Sequence, residues 1–206
     1  MPKKTKPQDS DVPVEEEKEA KDALSGLVEE LQQQEENRTI LLYGEIEEEK
    51  AADICAGLLY LMKKTPDPEK AIQFYISTYG GNADDMFAIY DMMNIAKKSC
   101  TIETVGLGKV MSAGVLLLAN GTPGSRKVAK NCRVMIHSCN AGSAGDIHNL
   151  KNEMEAIQYQ QDQYINALVQ ASSLTKRQLT RLLDRKVNVY LTAEEAIEYG
   201  IADEIM

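Results

Sequence analysis

Two residues that could do chemistry together, Ser112 and His137, stand towards opposite ends of one apolar unit, Val105 to His137. A serine hydroxyl becomes a nucleophile when an imidazole takes its proton, and that pairing serves acyl transfer. Ser112 follows Gly106 and Gly108, read as a glycine-punctuated turn, and precedes AGVLLLA, an apolar run short enough to be a buried helix. Its hydroxyl would then lie near a helix N-terminus, where unpaired backbone N–H groups can face a developing oxyanion. His137 closes Cys132-Arg-Val-Met-Ile-His, a strand-like run bounded by Asn131 and by Ser138, Cys139, Asn140 and Gly142. Plainer readings fit equally: Ser112 as a helix N-cap, His137 as a core residue satisfied by its neighbours. Spacing alone leaves them open.

The surrounding elements alternate. Arg38–Gly44 reads as a buried strand, and Glu47–Lys64 as a helix with one wide apolar face carrying Ala51, Ile54, Cys55, Leu58, Leu59, Leu61 and Met62. Thr65-Pro-Asp-Pro breaks that helix. Ala71–Ser77 is a second strand, Tyr79-Gly80-Gly81-Asn82 a turn, and Ala83–Lys97 a helix. Thr101–Val105 is the next strand, followed by the Ser112 helix and the Val134 strand. This order is that of right-handed β-α-β crossovers around a mostly parallel sheet. After a loop marked by Gly142 and Gly145, a helix of about 25 residues carries Ile147, Leu150, Met154, Ile157, Tyr164 and Leu168 at heptad spacing, with polar Gln161 in the missing slot. So narrow a stripe suits packing against a second copy, although packing within its own domain fits as well. Thr175–Leu183 reads as a short helix, Val187–Leu191 as a strand, and Thr192–Glu195 as a capping box opening a helix that ends at Gly200.

Composition narrows the function classes. A chain of 206 residues, 43% of them hydrophobic, holds one domain with a sizeable core. Residues 1–21 combine three prolines with dense charge and are expected to be a disordered acidic tail, leaving 22–206 as the folded domain, opened by an amphipathic helix from Asp22. Residues 1–36 carry five lysines against eleven acidic residues, most of the formal net charge of −9, which argues against a nucleic-acid partner. No apolar run approaches ~18 residues, so no membrane span is implied. Cys55, Cys100, Cys132 and Cys139 form no C-x-x-C pair and come without a signal peptide or transit peptide. They read as reduced core thiols of a cytoplasmic protein, and with two histidines no metal site or cofactor is expected.

Four motifs decide among the readings of the site. MSAG at 111–114, RVMIH at 133–137, YISTYGG at 75–81 and YLTAEEAIEYGIAD at 190–203 resemble, in order and approximate spacing over residues 36–206, the ClpP family of self-compartmentalised serine peptidases. The resemblance implies an α/β fold with the repeated ββα spiral of the ClpP and crotonase group, the long helix protruding as a handle that joins two rings. It implies Ser112 as nucleophile, His137 as base, and the backbone N–H groups of Gly81 and Ala113 as the oxyanion hole. It further implies heptameric rings stacked into a tetradecamer, degrading unfolded protein or peptide substrates delivered by an AAA+ unfoldase, since this chain contains no P-loop motif. The family's proline before the glycine pair is Tyr79 here, and Lys109-Val110-Met111 replaces the small residues usual before the serine. Where the family has its third triad member, an aspartate, this chain has Asn188, with Asp184 four residues upstream as a substitute. A Ser112–Lys109 dyad is a further option, although on a loop the lysine would be solvated. Rival readings are a catalytically weak or inactive ClpP-like structural subunit, a phage-type maturation protease, and an acyl-CoA hydratase or isomerase on the same fold.

Overall fold

The structure is a computed structural model describing residues 38–64, 70–185 and 187–206, together with Ser25. The chain divides into two units, Met1–Asn37 and Arg38–Met206. The acidic tail expected over 1–21 and, Ser25 apart, the helix expected from Asp22 lie outside the described residues.

Strands and helices alternate as the hydrophobic pattern requires: β1 (Thr39–Tyr43), α1 (Glu48–Lys64), β2 (Ile72–Thr78), α2 (Ala83–Ala96), β3 (Ile102–Met111), α3 (Ala113–Ala119), β4 (Arg126–Val128), β5 (Arg133–Ile136), α4 (Ile147–Ala171), α5 (Lys176–Leu183), β6 (Val189–Leu191), α6 (Ala193–Glu198) and β7 (Glu204–Ile205). The fold is α/β, with the parallel order β1-β2-β3-β4-β7; β5 pairs parallel with β3 and antiparallel with β6. Ile72, Phe74 and Ile76 of β2 are fully buried and point to one face of the sheet, while Gln73 and Tyr75 on the other face are half-buried. β1 departs from expectation: it is half-buried, with Leu41 and Tyr43 exposed, because it ends the sheet and only alternate side chains face the core.

The larger correction concerns Gly106 and Gly108. They lie inside β3, not in a turn, and the strand continues to Met111. Thr104–Gly106 pair with β4, whereas Lys109–Met111 pair with β5. Gly108, at φ +62, bends the strand between its two partners without ending it. This branching positions the site. Met111 sits in register with Met135 and Thr78 with Val110, so the residues following β2, β3 and β5 emerge together at the carboxyl edge of the sheet, where open α/β sheets place their ligands.

Arg126 ties the far end together. Its guanidinium donates to the carbonyls of Ala119 (3.3 Å), Ala171 (2.6 Å) and Gly200 (2.7 Å), near the C-terminal ends of α3, α4 and α6, and to the Asp203 carboxylate. The hydrogen bonds from Arg126 hold the Asp203 carboxyl below its ordinary range. Carbonyls left over where helices end are thereby satisfied in a buried place.

Candidate active site

Ser112 occupies the one-residue junction between β3 and α3 with φ 54 and ψ −124, a conformation that costs a non-glycine residue about 1–3 kcal/mol. Its surroundings hold it there. The Ser112 N–H donates to Met135 O at 2.8 Å, and its carbonyl accepts from Val115 N–H at 3.0 Å and from the Tyr164 hydroxyl at 3.2 Å. Gly80 makes the room: a Cβ on it would lie 2.6 Å from Ser112 Cβ. Although Ser112 stands at the N-cap position of α3, its side chain makes no capping hydrogen bond, so the capping role does not describe it. The hydroxyl is instead 2.7 Å from His137 Nε2.

His137 follows β5 and is half-buried. Burial lowers its pKa from the ordinary 6.5, because desolvation disfavours imidazolium. At neutral pH the ring is therefore neutral and able to take the serine proton. Gln161 of α4 accepts the Cys139 N–H at 3.0 Å, and the Ser138 hydroxyl donates to Leu183 O at 3.1 Å. These two contacts fix the chain beyond the imidazole. The polar residue that interrupts the heptad pattern thus has a local partner in its own subunit.

Gly81 and Ala113 lie with Ser112 in the lining of one pocket of about 410 Å³. No hydrogen bond among the described residues uses either N–H as donor, leaving two backbone donors in the same pocket as the Ser112 hydroxyl. Gly81 sits at φ +153, where a Cβ would collide with the backbone of Ile46, so only glycine fits this approach. Ile46 N–H donates to Gly80 O, and Asn82 N–H to Ile46 O, which pins the loop from both sides.

The third position is built differently. The β5–β6 register pairs Ile136 with Val189, and continuing it sets Asn188 opposite His137; Asp184 is the C-cap of α5. Both are exposed, and among the described residues no hydrogen bond joins either to His137. Lys109 belongs to β3, not to a loop, and its ammonium lies 4.6 Å from the Tyr79 ring centroid, a cation–π contact at the pocket's edge. Of the four cysteines, all free, Cys100 and Cys132 are core residues, whereas Cys139 is half-buried in the pocket lining. Tyr164, Gln161 and Gly80 were not foreseen as site residues. The only signals were a tyrosine and a glutamine on an apolar seam, and the first glycine of a pair.

A strained serine bonded to a neutral imidazole, with two free backbone N–H groups beside it, forms the class of site that transfers acyl groups on an α/β scaffold. The Clp protease family model matches residues 22–206. The ATP-dependent Clp protease proteolytic subunit 1 of Corynebacterium glutamicum is 36% identical over 171 residues, 82% of this chain and 79% of that protein. Subunit 2 of Corynebacterium jeikeium has the same identity and coverage, and subunit 1 of that organism is 32% identical over 169 residues, 82% of this chain and 87% of that protein. The chain belongs to the Clp protease family. Among the described residues no helix is long and apolar enough to cross a membrane, and no group of His, Cys, Asp and Glu could hold a metal ion.

Proposed function

We propose that this chain is the serine-type proteolytic subunit of a Clp protease, with Ser112 as nucleophile, His137 as general base and the N–H groups of Gly81 and Ala113 as the oxyanion hole. The observation that carries this reading is the 2.7 Å contact between Ser112 Oγ and His137 Nε2 at a strained junction. Ser112 Oγ would attack the peptide carbonyl carbon as its proton passes to His137 Nε2; His137 then returns that proton to the leaving amine, and water repeats the sequence on the acyl-enzyme. A fluorophosphonate probe should label the parent and not Ser112→Ala, and peptide turnover should fall by at least ~10³-fold in that variant. Equal labelling of both proteins would refute the assignment.

Assembly into heptameric rings and a tetradecamer fed by an AAA+ unfoldase in the cytoplasm belongs to the same proposal. It draws support from α4, whose Ile147 and Met154 are each 66% exposed, an apolar stripe that a second copy would cover. Met154→Glu should shift the native mass from two stacked rings to smaller species, and an unchanged mass would assign the stripe another role. A second reading, a structural subunit with little activity, is favoured by the lack, among the described residues, of a hydrogen bond from Asn188 or Asp184 to His137.

A further inference from the structure

The pocket beside Ser112 is unevenly charged. Its lining includes Asn82, Asp84, Phe87, Asn140, Ile157 and Gln160, and of all the described residues that line it, Asp84 alone carries a formal charge at neutral pH, His137 being kept neutral by burial. Asp84 stands in the first turn of α2, where the helix N-terminus stabilises a carboxylate. Asp85 shares that position but does not line the pocket. The carboxylate of Asp84 forms no ion pair among the described residues. Its Oδ1 accepts one hydrogen bond, from Gln160 Nε2 across the pocket at 2.6 Å, and its Oδ2 accepts none among them. The amide is neutral, so the carboxylate keeps its formal charge.

We propose that Asp84 makes this pocket a subsite for a cationic side chain, the lysine or arginine of the residue that supplies the scissile carbonyl. The inference rests on the peptidase reading of Ser112 and His137. Beside an unpaired carboxylate a lysine or arginine gains a charge-assisted hydrogen bond, whereas a glutamate meets like charge and a leucine leaves the carboxylate unpaired. The apolar walls, Met86, Phe87 and Ile157, would cover the methylene stem of the same side chain.

Three fluorogenic peptides identical except for lysine, leucine or glutamate at that residue test the proposal. The parent should favour lysine over glutamate by at least about tenfold in kcat/KM. Asp84→Asn should remove most of that ratio, chiefly through KM, and Gln160→Ala, which frees Oδ1, should enlarge it. A parent that favours leucine, or a ratio unmoved by Asp84→Asn, overturns the subsite. Should no peptide be cleaved, fluorescence anisotropy with the same three peptides decides: lysine-selective binding lost in Asp84→Asn supports the subsite, and equal affinities overturn it. Fluorophosphonate labelling run in parallel separates the two claims. Labelling without lysine preference sinks the subsite alone; lysine-selective binding without labelling or cleavage sinks the peptidase reading and leaves Asp84 only as a binding site for a cationic side chain.

Discussion

The two sides of His137 are made of different material. On the Nε2 side, Ser112 is held by β5 through Met135, by α4 through Tyr164 and by the space left at Gly80, all parts of one buried sheet edge. On the other side the β5–β6 register sets Asn188 opposite the ring; Asn188 and Asp184 are both exposed and make no hydrogen bond to the ring among the described residues. The Ser112 half of the site is thus formed by core packing within one subunit, whose cost is spread over many contacts. The facing side is a short exposed segment, where holding a side chain in one rotamer costs entropy that few contacts offset. Site geometry is as firm as the layer that carries it.

The sharpest way to break this comparison is to strengthen the weak side. Asn188→Asp would place a carboxylate where the β5–β6 register points at His137. Because loss of such an aspartate costs a serine protease ~10⁴ in turnover, its gain should raise peptide turnover by at least ~10-fold. Asn188→Ala tests whether the amide takes up that role during turnover: a fall in turnover assigns the orienting role to its carbonyl, and no change denies it. If Asp184→Ala inactivates while Asn188→Ala is silent, the orienting role belongs to Asp184.

The pH profile reads the same asymmetry. The folded-state pKa of His137 is depressed from 6.5 by burial, and the base works only when neutral. The kcat/KM profile should therefore be flat through neutral pH and fall on the acid side with a midpoint below 6.5. In Asn188→Asp a carboxylate beside the ring favours imidazolium, so the acid limb should move to higher pH. An acid limb in the parent above 6.5 would mean that a charge already faces the ring.

The smallest effect is expected on the firm side. Tyr164→Phe deletes one hydrogen bond to the Ser112 carbonyl, worth about 1 kcal/mol and so roughly fivefold in kcat, with KM unchanged. A loss of 100-fold or more would show that the strained junction leans on that phenol alone.

The α/β class, the alternation of strands and helices and the extent of α4 were all legible in order, because apolar periodicity is a local property of the chain. The site was legible less evenly. Ser112 and His137 stood out as residue types, and four motifs aligned them with a family. Yet nothing local distinguished a capping serine from one turned towards an imidazole, since both occupy the same position before a helix. Tyr164, 52 residues from Ser112, could be joined to it only by packing. Gly106 and Gly108 looked like the end of a strand because glycine signals turns by conformational freedom, whereas here that freedom lets β3 change partners midway. Composition, periodicity and motif order by themselves determined that this chain folds as an α/β Clp-type subunit. Whether its polar groups meet within 3 Å was decided by register and burial, which depend on distant segments arriving at the same sheet edge.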